Sequence, residues 1–249
     1  MPQTDPPRRV GLARALSKAG YCSRSTAFEL VRAGRVRSNG VVVRDPERPV
    51  QVAHDHIEID GHALSAPAKL YLMLNKPRGV VTTASDEKGR GTVYAYLDPN
   101  LPWVAPVGRL DKASEGLLLL TNDSEWAARV TAPETHLDKT YHVQIGSLSD
   151  ERIIEALTRG ISMDGELLRA KSSRLLRQGD KNSWLEIVLD EGKNRQIRRM
   201  LTALGIEVLR LVRVAVGPLP LGTLKKGSSR SLTVAEKAEL DAAMDRKTK

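Results

Sequence analysis

The hydrophobic pattern of the amino-terminal segment predicts two short helices followed by a small sheet. Apolar residues recur at helical spacing over 12–19, and a second helical pattern with a serine near its start occupies 23–34. The dipeptide Asn39–Gly40 predicts a hairpin turn between short strands, and the alternating segment 56–60 adds another strand. These elements predict a small α+β domain over residues 9–64.

A second set of elements follows a short break at 65–69, which we predict to be a linker. Strands are predicted at 70–74, 116–120, 141–145 and 184–189, and helices at 124–130, 150–159, 194–204 and 234–244. This alternation predicts a larger domain over 70–235. Residues 236–249 are expected to form the end of the last helix and a basic tail.

Composition limits the classes of protein that this chain can represent. Its 249 residues, of which 41% are hydrophobic, can form one large and one small domain with a sizeable core. The net charge of +9 and the pI near 9.8 indicate an anionic partner, either nucleic acid or an acidic membrane surface. The single cysteine, Cys22, excludes a disulfide framework and indicates a reducing, intracellular compartment.

The sequence contains no segment with the properties of a membrane span or a secretory signal. No stretch approaches the roughly 18 apolar residues of a spanning helix, and residues 1–9 lack the apolar run of a signal peptide. The arginine-rich opening is compatible with a transit peptide, but its periodic leucines continue into the first predicted helix. We therefore expect a cytoplasmic protein without a membrane partner.

Two zones of the sequence carry an excess of positive charge. Eight Lys or Arg residues and one acid lie between Arg8 and Arg37, and nine and one lie between Lys193 and Arg230. Such clusters favour contact with phosphates, although a solvated basic face has the same composition. The candidate contacts in the first zone are Arg14, Lys18, Arg24, Arg32 and Arg35.

The predicted helix 194–204 concentrates arginines beside an apolar face. Its apolar residues have the spacing of one buried stripe, which leaves Arg195, Arg198 and Arg199 together near the helix start. Cations there oppose the helix macrodipole by about 0.3–1 kcal/mol each. We expect a phosphate or carboxylate to offset this cost, and a solvated basic face is the alternative.

Asp111 lies between an arginine-containing turn and a run of four leucines. A carboxylate beside a buried apolar strand must be solvated, paired or protonated, because a lone buried charge is costly. Local sequence leaves several roles open. Asp111 can cap the turn, pair with Arg109 or take part in catalysis.

Four segments resemble the motifs of pseudouridine synthases and occur in the order of that family. Residues 107–123, Val-Gly-Arg-Leu-Asp-Lys-Ala-Ser-Glu-Gly-Leu-Leu-Leu-Leu-Thr-Asn-Asp, resemble the catalytic Gly-Arg-Leu-Asp motif and its continuation. The others are Leu-Asn-Lys-Pro-Arg-Gly at 74–79, Lys-Thr-Tyr-His at 139–142 and Gly-Lys-Asn-Arg-Gln-Ile-Arg-Arg-Met at 192–200. Together they resemble the branch of the ribosomal small subunit pseudouridine synthase A and its large-subunit relatives. Ser114 replaces the Thr of many relatives and keeps the hydroxyl.

The amino-terminal unit resembles the small RNA-binding domain named after ribosomal protein S4. The resemblance implies an α+β fold, in which this domain precedes a pseudouridine synthase domain with a mixed, largely antiparallel sheet. It also implies conversion of a specific uridine in ribosomal RNA to pseudouridine without a cofactor. We expect the protein to be a monomer, although the sequence leaves the oligomeric state open. The implied partner is ribosomal RNA, free or in a partly assembled subunit.

The resemblance assigns three catalytic residues. Asp111 is expected to be the essential carboxylate, which attacks the ribose or assists departure of uracil from a glycosyl intermediate. Arg198 is expected to pair with Asp111 and to keep it ionised against the effect of burial. Tyr141 is expected to stack on the flipped uracil and to act in proton transfer, although alone it resembles an ordinary strand tyrosine.

Five further basic residues are expected to contact RNA. Arg109 is expected at the backbone of the flipped nucleotide, and Lys76 and Arg78 at phosphates. Arg195 and Arg199 extend the same basic surface. Each also has a simpler interpretation as a turn residue or a solvated cation.

Metal and nucleotide chemistry find little support in the sequence. His54 and His56 lack a third His or a Cys at ligand spacing, and neither a Walker motif nor G-x-G-x-x-G occurs. The main alternative function is a non-catalytic RNA-binding or ribosome-assembly protein, but such a protein needs no carboxylate like Asp111. A membrane-surface protein is disfavoured because no wide amphipathic helix is evident.

Overall fold

A computed structural model describes residues 9–51, 54–65, 67–83 and 90–245. Arg8, the linker position Ala66 and the predicted basic tail at 246–249 lie outside the described residues. The chain divides into two compact units. As far as they are described, the first comprises residues up to 70 with 98–105 and 121–125, and the second comprises the remainder.

Within these residues the helices are α1 (Leu12–Lys18), α2 (Arg24–Arg32), α3 (Ser124–Thr131), α4 (Glu151–Arg159), α5 (Gln196–Ala203) and α6 (Val234–Asp245), with 3₁₀-helices at Val93–Tyr96 and Pro133–Thr135. The strands are β1 (Val10–Gly11), β2 (Val36–Ser38), β3 (Val41–Val43), β4 (Pro49–Val50), β5 (Ile57–Ile59), β6 (His62–Ala63), β7 (Tyr71–Lys76), β8 (Ala105–Val107), β9 (Glu115–Thr121), β10 (Lys139–Ile145), β11 (Ile161–Met163), β12 (Glu166–Leu168), β13 (Ser172–Gln178), β14 (Ser183–Leu189), β15 (Val208–Val216), β16 (Leu219–Pro220) and β17 (Ser229–Ser231). None of the described helices is long and apolar enough to cross a membrane.

The first unit contains the two helices and the small sheet that its sequence predicts. The sheet has the order β3-β2-β5-β6, and Asn39–Gly40 joins β2 to β3 with φ angles of 52° and 78°. Of the two serines near the start of α2, Ser23 is the cap, because its Oγ accepts a hydrogen bond from the Thr26 amide at 3.0 Å. The buried faces of both helices pack with the sheet in one apolar cluster.

The large sheet of the second unit is mixed and mostly antiparallel. Among the described strands its order is β13-β14-β10-β15-β9-β7-β17, with β16 on β15 and β8 on β9. β10 pairs antiparallel with β14 and β15, whereas β9 pairs parallel with β15. The predicted α+β fold class is confirmed.

The hydrophobic pattern misses two long strands of this sheet. β15 contains Arg210 and Arg213, whose charges interrupt the apolar alternation that marks a strand. β13 is an edge strand with mostly exposed residues, and a register shift between Leu175 and Arg177 breaks its period. Both strands depend on partners distant in sequence, which a local pattern does not contain.

The start of α5 is determined by backbone conformation. Arg195 has a left-handed backbone with a φ of 48°, so the helix begins at Gln196, two residues later than predicted. The apolar stripe of α5 is buried as predicted, in a cluster with residues of β10 and β14. This packing directs Arg198 toward the loop before β9, where it donates to the Ala113 carbonyl.

Gly116 marks a very close approach of β9 to β15 and provides a test of this fold. An added Cβ would lie 2.2 Å from the Arg213 carbonyl oxygen, and the φ of 101° disfavours any side chain. Gly116→Ala should lower the free energy of unfolding by roughly 3 kcal/mol or more, because overpacking and backbone strain act together. Gly165→Ala is the control, since Gly165 has a φ of 76° but open space, and should cost about 1 kcal/mol. Equal losses in urea-induced unfolding would contradict the close approach.

Candidate active site

A cavity of about 540 Å³ in the second unit brings together residues from distant segments. Arg109 and Asp111 line it from the loop before β9, Tyr141 lines it from β10, and Arg195 and Arg198 line it from the start of α5. Small-molecule sites typically have volumes of about 300–1,000 Å³, so this cavity can hold a nucleobase. Five of the eight residues predicted for this site therefore share one cavity.

Two hydrogen bonds fix the loop that carries Asp111. The Thr82 hydroxyl donates to the Leu110 carbonyl at 2.8 Å, and the Gly79 amide donates to the Lys112 carbonyl at 2.7 Å. The Asp111 side chain itself is 38% exposed and faces the cavity. The carboxylate is thus held on a fixed backbone and stays accessible.

Lys76 is fully buried and binds the same loop from inside the protein. Its Nζ donates to the carbonyls of Pro77 at 3.2 Å, Asp111 at 3.1 Å and Ser114 at 2.8 Å. Burial lowers the pKa of Lys76 to about 8, and the carboxylates of Asp111 and Glu115 oppose this shift. The expectation that Lys76 contacts an RNA phosphate is wrong, because its surface is 0% exposed.

Among the described residues, the cation within ion-pair distance of Asp111 is Arg195, not the predicted Arg198. Arg195 Nη1 lies 3.6 Å from Asp111 Oδ2. Arg198 instead donates from Nη2 to the Ala113 carbonyl at 3.1 Å, and its buried Nε has no hydrogen-bond partner among the described residues. Burial and then repulsion from Arg195 lower the pKa of Arg198, whereas attraction to Asp111 opposes the shift. The predicted direct pair is therefore replaced by a longer-range attraction.

Arg195 reaches Asp111 from a strained backbone. A left-handed conformation costs a residue with a Cβ about 1–2 kcal/mol relative to the right-handed one. Arg195 adopts it at the position immediately before α5, with a side chain that is 52% exposed. Such outliers persist where the surrounding structure enforces them, and they cluster at functional sites.

Tyr141 lies in the middle of β10 and lines the cavity. It is opposite Ile187 of β14 and Arg213 of β15, and it is only partly buried. This position leaves ring surface available for stacking on a base. Arg109 is exposed at the same cavity, two residues before Asp111.

Arg78 and Arg199 do not line the cavity. Arg78 is exposed, and its Nη1 donates to the Leu209 carbonyl at 3.3 Å. Arg199 binds Glu166 at 2.8 Å and Asp164 at 3.2 Å, so it connects α5 to the β11–β12 hairpin. These two acidic partners favour a structural role for Arg199 over phosphate contact.

Sequence reasoning missed two buried polar side chains near the site. Gln196 lines the cavity and donates to Glu191 Oε1 at 2.8 Å, which fixes the segment before α5. Glu115 is buried at the start of β9 and bound by Arg210 and Lys226. The position of Glu115 just before a run of leucines could have indicated its pairing, because a buried acid requires a cationic partner.

The five predicted RNA contacts of the first unit are exposed, namely Arg14, Lys18, Arg24, Arg32 and Arg35. Two of them have anionic partners, since Arg24 pairs with Glu47 and Arg35 with Asp60. The two cations on α1 form no ion pair with any described residue. In the described part of the chain, no group of three or more His, Cys, Asp or Glu side chains could hold a metal ion.

Comparison with known proteins agrees with this geometry. The model of the family described as RNA pseudouridylate synthase matches residues 70–203, and the S4 domain model matches residues 10–62. The chain is 38% identical to the ribosomal large subunit pseudouridine synthase B of Bacillus subtilis, over 94% of this chain and 96% of that protein. It is 34% identical to the Salmonella typhimurium protein of the same name, over 90% of this chain and 80% of that protein.

A solved structure gives the same result. The crystal structure of a pseudouridylate synthase matches with a TM-score of 0.66 and 31% sequence identity, over 93% of this chain and 99% of that chain. Both the sequence match and the fold thus extend over nearly the whole chain. The protein belongs to the RNA pseudouridylate synthase family and carries an amino-terminal S4 domain.

Proposed function

We propose that this protein converts a specific uridine of ribosomal RNA to pseudouridine, and that its substrate is large-subunit RNA. The observation that carries the proposal is the accessible Asp111 carboxylate in a cavity that is large enough for a base and has a cationic wall. The Bacillus subtilis and Salmonella typhimurium relatives are named for the large ribosomal subunit, which supports the choice of substrate.

Catalysis requires that the target uridine leave the RNA stack. A stacked base cannot enter the cavity, so it must be flipped at a cost of a few kcal/mol, which contacts with RNA phosphates offset. In the cavity the Tyr141 ring stacks on uracil. Arg109 contacts the backbone beside the flipped nucleotide.

Asp111 then promotes the exchange of one glycosidic bond for another. In one route its carboxylate attacks ribose C1′ while the C1′–N1 bond breaks and uracil takes the electron pair. In the other route the bond breaks first, and the carboxylate stabilises the glycosyl cation. Uracil then turns and C5 bonds to C1′. In the first route the ester bond between C1′ and Asp111 breaks at this step and its electron pair returns to the carboxylate. The C5 proton then leaves and N1 gains a proton. No external energy source or cofactor is required for this isomerisation.

Both routes require a negatively charged Asp111. Arg195 and Arg198 supply positive potential from two sides, one through an ion pair and the other through its position near Ala113. Arg195 is more exposed, so it is also placed to meet a phosphate of the target nucleotide. Arg198 is half-buried and donates a hydrogen bond to the Ala113 carbonyl, in the loop that carries Asp111.

The two units divide binding and chemistry. The S4 domain at 9–64 binds RNA through exposed cations that have no acidic partner among the described residues, such as Arg14 and Lys18. The segment 65–69 links it to the catalytic domain at 70–235, and 236–249 form the end of the last helix and a basic tail. We further propose that the protein acts as a monomer in the cytoplasm, on ribosomal RNA that is free or in a partly assembled subunit.

Replacing Asp111 with Asn tests the chemical role. Asn keeps the size of the side chain but removes its charge and nucleophilicity, so the single-turnover rate should fall by roughly 10³-fold or more. The rate is measured as release of tritium from RNA labelled at uracil C5, because that label leaves when C5 bonds to ribose. RNA affinity should persist.

Asp180→Asn is the matched control, because Asp180 is exposed and lies outside the cavity wall. This variant should release tritium at the wild-type rate. A folded Asp111→Asn protein that releases tritium equally fast would exclude the proposed chemistry. A wild-type protein that releases none would favour the non-catalytic RNA-binding alternative.

The two cations of α1 test the role of the S4 domain. The double variant Arg14→Gln with Lys18→Gln should weaken RNA binding, because each phosphate contact contributes about 0.7–0.9 to the slope of log K against log salt. Arg35→Gln serves as the control, since the Asp60 carboxylate already neutralises Arg35. Affinity titrations at several salt concentrations should show a smaller slope for the double variant. An unchanged slope would remove α1 from the RNA-binding surface.

A further inference from the structure

Glu115 is a buried carboxylate held by two cations from other segments. Its side chain is 3% exposed, and Arg210 binds both oxygens, from Nε at 3.1 Å and from Nη2 at 3.2 Å. Lys226 Nζ donates to Oε2 as well. Burial alone would raise the pKa of Glu115, but the hydrogen bonds from Arg210 and Lys226 outweigh it and lower that pKa.

Such a network is not explained by stability alone. The free energy lost when two charges are removed from water is about as large as the free energy gained from their attraction. Apolar residues of similar volume often give the same stability as a buried ion pair. A buried ion pair can instead serve to fix one conformation of the segments that it joins. The position of Glu115 in the chain indicates which conformation that is.

Glu115 begins β9, four residues after Asp111. The preceding residue, Ser114, accepts a hydrogen bond from buried Lys76 at 2.8 Å. The following residue, Gly116, lies so close to β15 that no side chain fits. The end of the catalytic loop therefore has little freedom to shift without moving Glu115.

The segment that carries Lys226 is hydrogen-bonded to β7. The Gly227 amide donates to the Asn75 carbonyl at 2.8 Å, and the Asn75 side chain donates to the Leu224 carbonyl at 2.8 Å. Asn75 directly precedes Lys76, whose Nζ binds the Asp111 loop. The segment that carries Lys226 thus connects Glu115 to the strand that carries Lys76.

We propose that Glu115 is a positioning residue for catalysis, which fixes the end of the Asp111 loop through Arg210 and Lys226 and acts on the Lys76 ammonium bound to the adjacent Ser114 carbonyl. The proposal rests on the proposed pseudouridine synthase activity. The charged groups that act on Lys76 are Asp111, Glu115 and Arg213, of which the two acids favour the ammonium and the arginine opposes it.

Glu115→Gln is the central test, because it keeps the shape of the side chain and removes the charge. The maximal single-turnover rate of tritium release should fall about tenfold to a hundredfold, because misplacement of a catalytic group by about 1 Å can cost roughly that much. The RNA concentration for half-maximal rate should change little. The alkaline loss of activity should begin at lower pH, because Lys76 loses its proton more readily.

Glu186→Gln is the matched control. Glu186 is also a partly buried carboxylate of the same sheet, with 20% of its side chain exposed, and it is bound by Arg174 at 2.7 Å and His142 at 3.4 Å. It lies outside the cavity wall, so the variant should keep the wild-type rate and pH profile. Equal losses in the two glutamine variants, or a Glu115→Gln loss that is uniform over pH, would overturn the proposal.

Lys226→Gln is a milder variant in case Glu115→Gln fails to fold, since the Lys226 side chain is 53% exposed. It should lower the rate less than Glu115→Gln and leave the alkaline midpoint near the wild-type value, because Glu115 keeps its charge and Arg210. A midpoint shifted as far as that of Glu115→Gln, or an unchanged rate, would contradict the positioning role.

A direct titration separates this inference from the proposed activity. The Lys76 amine can be followed by NMR in lysine-labelled protein and assigned by its absence in Lys76→Met. Its midpoint should lie near pH 8 in the wild type and lower in Glu115→Gln. An unchanged midpoint would overturn the proposal even if the enzyme is active. Absence of tritium release by the wild type would overturn only the proposed function.

Discussion

The arrangement of the site depends on one buried cation. The Lys76 ammonium donates to three backbone carbonyls at 2.8–3.2 Å, two of them in the loop that carries Asp111. A loop that passes beside a fully buried strand leaves carbonyls facing the interior, and each unsatisfied one costs about 1–3 kcal/mol. Lys76 satisfies them from a single point. Its burial lowers the pKa of Lys76 to about 8, and the carboxylates of Asp111 and Glu115 oppose that shift.

The cavity beside this loop contains an accessible carboxylate, Asp111, beside two arginines. Asp111 keeps 38% of its side-chain surface, so it is never fully desolvated in the free protein. Arg195 pairs with it from an exposed position, and Arg198 lies half-buried beside the backbone of the same loop. Entry of an RNA phosphate can engage Arg195 without removing the positive potential of Arg198.

Local patterns in the sequence predicted much of the fold. The two small helices, the Asn39–Gly40 hairpin and the apolar stripe of α5 all depend on neighbours in the chain, and all were confirmed. The strand β15 was missed because its arginines interrupt the pattern and are satisfied by distant groups. Arg213, for example, donates to the Leu117 carbonyl at 2.7 Å, almost a hundred residues earlier in the chain.

The site residues divide in the same way. Resemblance to a family motif selected Asp111, Tyr141 and Arg198, and the structure brings them to one cavity. The motif could not predict that Lys76 is buried or that Arg195, rather than Arg198, pairs with Asp111. Both features depend on three-dimensional packing. The sequence also could not predict that Glu115 pairs with Arg210 and Lys226, because these residues lie on three segments that are distant in the chain.

The central proposal is that this protein alone forms pseudouridine in large-subunit ribosomal RNA. The most direct measurement isolates large-subunit RNA from cells that lack the gene, incubates it with the purified protein, and counts pseudouridine by mass spectrometry of the digested RNA. The proposed function predicts a gain of pseudouridine at a defined uridine, reaching one per molecule at that position, and no gain without protein. No gain in either free large-subunit RNA or partly assembled large subunits would contradict the claim.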